Sequence, residues 1–153
     1  MVDIYTLLEF EEGRERKPYS DTKGYMTGGV GHKMSSREQA IYNGRTIPSA
    51  VISKWLDDDI AIATRAAEKY SWYDKLNEPR KAIVVSMVFQ MGEQGFSNFK
   101  KTISFLSSGN YQAAATEMLN SVWAKKDSPN RARRHVEQMA SGEWCKEYFK
   151  GVF

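Results

Sequence analysis

One cysteine, Cys145, in 153 residues excludes an intramolecular disulfide and any cysteine-based zinc cluster. A lone thiol fits synthesis in a reducing compartment, and the expected place for it is a partly buried helical position. No apolar stretch approaches the ~18–20 residues of a membrane span. The opening residues, Met1-Val2-Asp3-Ile4-Tyr5-Thr6, carry neither a basic region nor a long apolar run, so no signal peptide is read there. No internal repeat and no low-complexity tract is present. The only histidines, His32 and His135, lack the local carboxylate pattern of a zinc enzyme, and no metal or organic cofactor is expected.

What remains is an ordinary soluble composition. An apolar share of 41% can build a core, and 27% charged residues is normal for one domain or two packed lobes. Net charge is +3. Lys125, Lys126, Arg131, Arg133, Arg134 and His135 crowd one region, which reads either as a solvated helix face or as a surface for anionic polymers.

Residues 3–12 have helical spacing, with Asp3 as cap and Gly13 as stop. Over residues 14–34 polar and aromatic residues alternate and glycines recur. Short antiparallel strands are expected there, with Asp21-Thr22-Lys23-Gly24 as the first turn. Ser35 and Glu38 form a capping box, and Gly44 is a stop. A long helix runs from Ser49 to about Tyr70 with the stripe Ile52, Leu56, Asp59, Ala63, Ala66, Tyr70. Asp59 is the misfit on that stripe and needs a partner; His32 is the natural one. Asn77-Glu78-Pro79 opens an all-round apolar helix that Gly92 and Gly95 end. Further helices fit residues 96–107, 110–122, 129–140 and 142–149. The expected fold class is α+β. A sheet-bearing lobe (about 13–55) and a helical lobe (1–12 with about 70–153) are joined by a linking helix (about 49–70). The first helix is expected to pack with the helical lobe, which would put Glu12 where the lobes meet.

Two carboxylates lie close together in sequence. Glu12 leaves the end of a helix, where the negative dipole end works against a second negative charge. Asp21 enters the turn that follows, and Thr27 lies on the next strand. Hydrolysis of a glycosidic bond needs one carboxylic acid to protonate the leaving oxygen and one carboxylate to attack or to activate water. Each residue also has a plainer reading: a surface glutamate, a turn-forming aspartate, a strand threonine.

The pattern Glu12-Gly13, then Tyr19-x-Asp21-Thr22-x-Gly24-Tyr25-x-Thr27-x-Gly29-x-Gly31-His32, resembles the phage-type lysozymes (glycoside hydrolase family 24). Met87 to Glu93 and Pro129-Asn130-Arg131-Ala132-x-Arg134 extend the likeness over almost the full length. The resemblance implies a lysozyme-like fold and cleavage of the β-1,4 bond between N-acetylmuramic acid and N-acetylglucosamine in peptidoglycan. It implies Glu12 as general acid, Asp21 as acidic partner and Thr27 as the residue that helps place water. It implies inversion, for which the carboxyls stand roughly 6.5–9.5 Å apart. By the same likeness Arg131 closes on the glutamate, and Phe89, Gln90 and Thr102 touch substrate. Three departures stand out. Gly28 replaces a β-branched residue, which loosens a strand by roughly 0.5–1 kcal/mol. Lys33 replaces an apolar residue. The segment from Met34 to Pro48 is shorter than in the family member it most resembles, which would open one end of a cleft.

The expected protein is a monomer with a peptidoglycan partner, no nucleic acid and no stable membrane insertion. It would wait in the host cytoplasm until a separate membrane-permeabilising protein releases it. A chitin-type N-acetylglucosamine polymer is the competing substrate. A basic helical nucleic-acid binder built on Lys125–His135 is the competing class, and it leaves the N-terminal pattern unexplained.

Overall fold

The computed structural model of the protein describes residues 1–151; residues 152 and 153 of the expected helical lobe lie outside the described residues. Asp3 starts the chain's first helix: its Oδ1 accepts the Thr6 N–H at 3.0 Å, and α1 runs Ile4–Glu12. Three antiparallel strands follow in the order β1 (Glu15–Ser20), β2 (Met26–Gly29) and β3 (His32–Lys33). The helices are α2 (Ser36–Tyr42), α3 (Ser49–Glu68), α4 (Glu78–Ser97), α5 (Lys100–Ser107), α6 (Tyr111–Leu119) and α7 (Pro129–Ser141). The class is α+β, as the sequence implies. Two compact units form, residues 8–62 and residues 1–7 with 63 onward, so the boundary falls inside α1 and α3.

In the sheet unit, the Ser35 hydroxyl accepts the Glu38 N–H at 3.1 Å while Glu38 Oε1 accepts the Ser35 N–H at 2.8 Å. That capping box fixes the start of α2. Arg14 ties the strand entry to α3 through Ser49 and Ser53 at 3.0 and 3.2 Å. Gly28 acquires a reason: a Cβ there would stand 2.7 Å from Ile47 Cδ1 and 3.4 Å from Met34 Sδ. The strand's missing side chain is the space that Ile47, itself fully buried, fills.

In the helical unit, α4 is the core. Residues Ala82 to Val88 are all buried, with Ile83 and Val84 at 0% exposure. Burying each such side chain contributes about 1.5–3 kcal/mol, so α4 cannot be loosened without losing the unit. Gly92 breaks the helical path at φ 80°, but helical structure resumes and continues through Gly95 to Ser97, contrary to the expectation that Gly95 ends it. The helix expected from residue 96 begins instead at Lys100, since residues 96 and 97 still belong to α4. Helix α6 stops at Leu119, and Trp123–Asp127 winds as a single π-type turn. The expected helix over 142–149 is a 3-10 helix, Lys146–Gly151, and Cys145 precedes it, buried at 3% exposure. Arg80 closes α7 by donating to the carbonyls of Met139 and Ala140 at 2.8 and 3.0 Å.

The basic region does not form one charged face. Arg131 and His135 are buried at 6% and 0% exposure. Arg133 and Arg134 pair with Glu147 at 2.9 and 3.7 Å. The sequence placed these cations together, but helical spacing along α7 sends Arg131 and His135 inward.

Candidate active site

The sheet has two chemically different faces. Tyr19 lies opposite Thr27, and Thr27 opposite Lys33, so these three side chains share one face. Gly28 lies opposite His32 on the other. The second face packs on α3: His32 stacks on Trp55 with ring centroids 4.3 Å apart. The first face carries Tyr19, Thr27 and Lys33, of which Lys33 is exposed, Tyr19 half-buried and Thr27 buried.

Asp21 holds the hairpin turn. Its Oδ1 accepts the N–H groups of Lys23 and Tyr25 at 2.9 and 2.8 Å, and its carbonyl accepts the Gly24 N–H at 3.0 Å. The turn-forming reading of this residue is therefore what the geometry shows. One oxygen builds the turn, and among the described residues no protein donor takes the other. The peptide of Tyr25 then links Asp21 to Thr27. Its N–H is the donor to Asp21, and its carbonyl accepts the Thr27 hydroxyl at 3.0 Å. Thr27 is 3% exposed, so its hydroxyl is held in one orientation.

Glu12 is half-buried at the end of α1. It is seated on Gly31, which has φ 61°: a Cβ there would stand 2.6 Å from Glu12 Oε1 and 2.8 Å from its carboxyl carbon. Only glycine fits both the left-handed backbone and that approach. Tyr19, between the acids in sequence, reports on both. Its phenol pKa is raised, first by burial and then by the negative charges of Glu12, Glu15 and Asp21. Tyr19 carries the motif, but its position within reach of both carboxylates emerges only from the strand register.

His32 and Asp59 are brought together. His32 Nδ1 lies 2.7 Å from Asp59 Oδ2, and its Nε2 lies 2.9 Å from Glu38 Oε1. Glu38 was missed as a partner because the capping box already accounted for it. The usable signal was six-residue proximity to a histidine known to lead into α2.

In the helical unit, Arg131 donates to Ser86 Oγ at 2.8 Å and to the Ser86 carbonyl at 3.3 Å. Gln90 donates to Ser128 Oγ and accepts from Trp123 Nε1, both at 2.9 Å. Its amide is thus spoken for on both sides. Phe89 is half-buried, and Thr102 is buried on α5 at 2% exposure. Among the described residues, Glu137, Cys145 and Glu147 offer three ligand atoms within 4.8 Å of one another. Glu147 is engaged by Arg133, and burial pushes the Cys145 thiol up, so the group reads as an ion-pair cluster rather than a metal cradle.

Comparison with known proteins bears on this geometry. The phage lysozyme family profile matches residues 9–137, a span that contains Glu12, Asp21, Thr27 and Arg131. A probable T4-type lysozyme of Dictyostelium discoideum is 29% identical over 161 residues, covering 91% of this chain and 94% of its own. The endolysin of Salmonella phage P22 is 32% identical over 127 residues, covering 78% of this chain and 80% of its own. A peptidoglycan hydrolase, gp36 of Pseudomonas phage phiKMV, is 28% identical over 137 residues, covering 88% of this chain and 14% of its own.

Proposed function

From a chain that belongs to the phage lysozyme family, and so is a peptidoglycan-degrading glycoside hydrolase, we propose cleavage of the β-1,4 bond between N-acetylmuramic acid and N-acetylglucosamine with inversion. Glu12 protonates the leaving oxygen. The oxygen of Asp21 that is not committed to the turn takes a proton from water, and the Thr27 oxygen accepts a second bond from that water. The observation that supports this most is the Tyr25 peptide, clasped between the Asp21 carboxylate and the Thr27 hydroxyl. It fixes two groups that must address one water molecule, and fixed geometry is what lowers the entropic part of a barrier. The field of Glu12 and Asp21 at Tyr19 adds that both acids act on one neighbourhood.

Phe89, Gln90, Thr102 and Arg131 are assigned to substrate binding by family likeness. The enzyme works as a monomer without metal, since an acid and a base suffice for the reaction. No helix among the described residues is long and apolar enough to cross a membrane. In this reading the protein waits in the host cytoplasm and reaches the wall after another protein breaches the membrane, causing lysis.

Glu12→Gln tests the assignment, because an amide cannot donate a proton as an acid does. Clearing of outer-membrane-permeabilised cells is expected to fall about 10²- to 10⁴-fold with thermal unfolding unchanged. Undiminished clearing overturns it. Mass analysis of the released sugar ends identifies the bond, and early products in labelled water report the stereochemistry. Faster turnover of chitin than of peptidoglycan would favour the competing substrate.

A further inference from the structure

The side chains of Tyr25 and Lys33 stand beside the proposed machinery, in which only the peptide of Tyr25 has a part. Tyr25 is the residue whose N–H and carbonyl are taken by Asp21 and Thr27. Its ring therefore projects from a peptide unit that cannot drift relative to those two groups. Tyr25 is 55% exposed. Lys33 lies directly opposite Thr27 in the register and places its ammonium 5.0 Å from the Tyr25 ring centroid. A cation over one side of the ring leaves the rest open. Among the described residues Lys33 makes no ion pair, and the carboxylates of this unit that do make ion pairs, Glu9, Glu38, Asp58 and Asp59, pair elsewhere.

The open face of an exposed aromatic ring binds the apolar face of a pyranose, and an ammonium on a long flexible stem beside that ring binds an anion. Nothing about general folding demands the pair, since each side chain is largely solvated. We propose that Tyr25 and Lys33 form a subsite for an acetamido sugar whose ether arm carries a carboxylate. The sugar stacks on Tyr25, and the carboxylate pairs with the Lys33 ammonium. The subsite rests on the wall-polymer reading above and adds the charge of the sugar it selects. The carboxylate has two sources, the bare lactyl arm of a muramyl residue or an acidic residue of a peptide attached to it; the shared chemistry is an anion beside a pyranose.

The test measures binding, by isothermal titration at low salt, to the Glu12→Gln variant so that chains are not cut. Three ligands are compared: peptide-bearing muramyl chains, the same chains stripped of peptide, and stripped chains with the lactyl carboxyl reduced to an alcohol. At least one carboxylate-bearing ligand is expected to bind about tenfold tighter than the reduced one, one well-placed charge pair being worth about that. A margin in the stripped arm identifies the lactyl carboxylate; a margin confined to the first arm identifies the peptide. Adding Lys33→Met abolishes the margin and Lys33→Arg preserves it. Adding Tyr25→Ala, which leaves the peptide in place, weakens all three ligands alike. A margin of unity, or one that survives Lys33→Met, overturns the cation's role, and unchanged affinities in Tyr25→Ala overturn the stack. Binding with these margins, alongside a wild type that releases no sugar ends, would sink the hydrolytic reading and leave the subsite standing.

Discussion

The chain's two histidines sit in opposite electrical surroundings, one in each unit. His32 lies between two acids, with Asp59 on Nδ1 at 2.7 Å and Glu38 on Nε2 at 2.9 Å. Burial of the ring works against its charged form, but the hydrogen bonds and charges of Asp59 and Glu38 outweigh it and raise its pKa. His135 is fully buried, with Ser86 Oγ on Nε2 at 2.7 Å and the Tyr148 hydroxyl on Nδ1 at 3.1 Å. Burial first, then the cations Arg131 and Arg134, push its pKa well below the ordinary value. The same imidazole is favoured as a cation in one place and kept neutral in the other, and the neighbours alone decide which.

Arg131 can only donate, so at Ser86 the oxygen accepts from it. The serine's single proton then goes to His135 Nε2, the other partner of that oxygen among the described residues. The ring proton must therefore sit on Nδ1 and be donated to Tyr148. Removing the ring breaks this run at its centre and leaves a cavity in a fully buried site. His135→Ala is expected to cost about 3–5 kcal/mol by urea denaturation at neutral pH, the largest effect among these tests. A loss below about 1 kcal/mol would mean the network does not hold α4 to α7.

Asp59→Asn comes next. It removes one charged partner of a half-buried imidazolium, and about 2 kcal/mol is expected below neutrality. The pH dependence separates the two sites. The folded pKa of His32 is raised above 6.5, so its contribution is fully present below 6.5 and fades as pH rises through the folded value. The defect of Asp59→Asn should shrink on that side. His135 has a lowered folded pKa, so its contribution is full above 6.5 and is lost as pH falls below it. Imidazole resonances give the third check: His32 should titrate above 6.5, and His135 should show no native titration near that value. Two rings titrating together would erase the contrast.

Why one site could be read in the sequence and the other could not follows from periodicity. Asp59 breaks an apolar stripe, and a lone carboxylate on a buried face demands a partner, so it points to His32. On α7 the buried face is itself polar: Arg131, His135 and Gln138 line it with Ala132 and Met139. A hydrophobic pattern cannot reveal a face whose burial is made good by hydrogen bonds. The spacing of Arg131, His135 and Gln138 by four and three was the available signal, obscured by Arg133 and Arg134 between them. The hairpin was legible because glycine and aspartate have few conformational uses. The contact of Glu12 with Gly31 was not, because it depends on how a helix end meets a strand end far along the chain.

The smallest effect sharpens the comparison most. Glu38→Gln keeps the capping box, since a glutamine oxygen can still accept the Ser35 N–H, and removes only the charge beside His32. A loss of about 0.5 kcal/mol is expected, the pair being partly exposed. Burial opposes the charged form of Glu38, but the Ser35 backbone bond and His32 lower its pKa below 4.5. Its share is therefore present above 4.5 and lost as pH falls through the folded value, while that of His32 fades above 6.5. The difference between wild type and Glu38→Gln should peak between those limits, with the His32 resonance shifted less than by Asp59→Asn. If Glu38→Gln matched or exceeded Asp59→Asn in both readouts, the histidine would be anchored to α2 rather than to α3, and the contrast with His135 would have to be redrawn around a different helix.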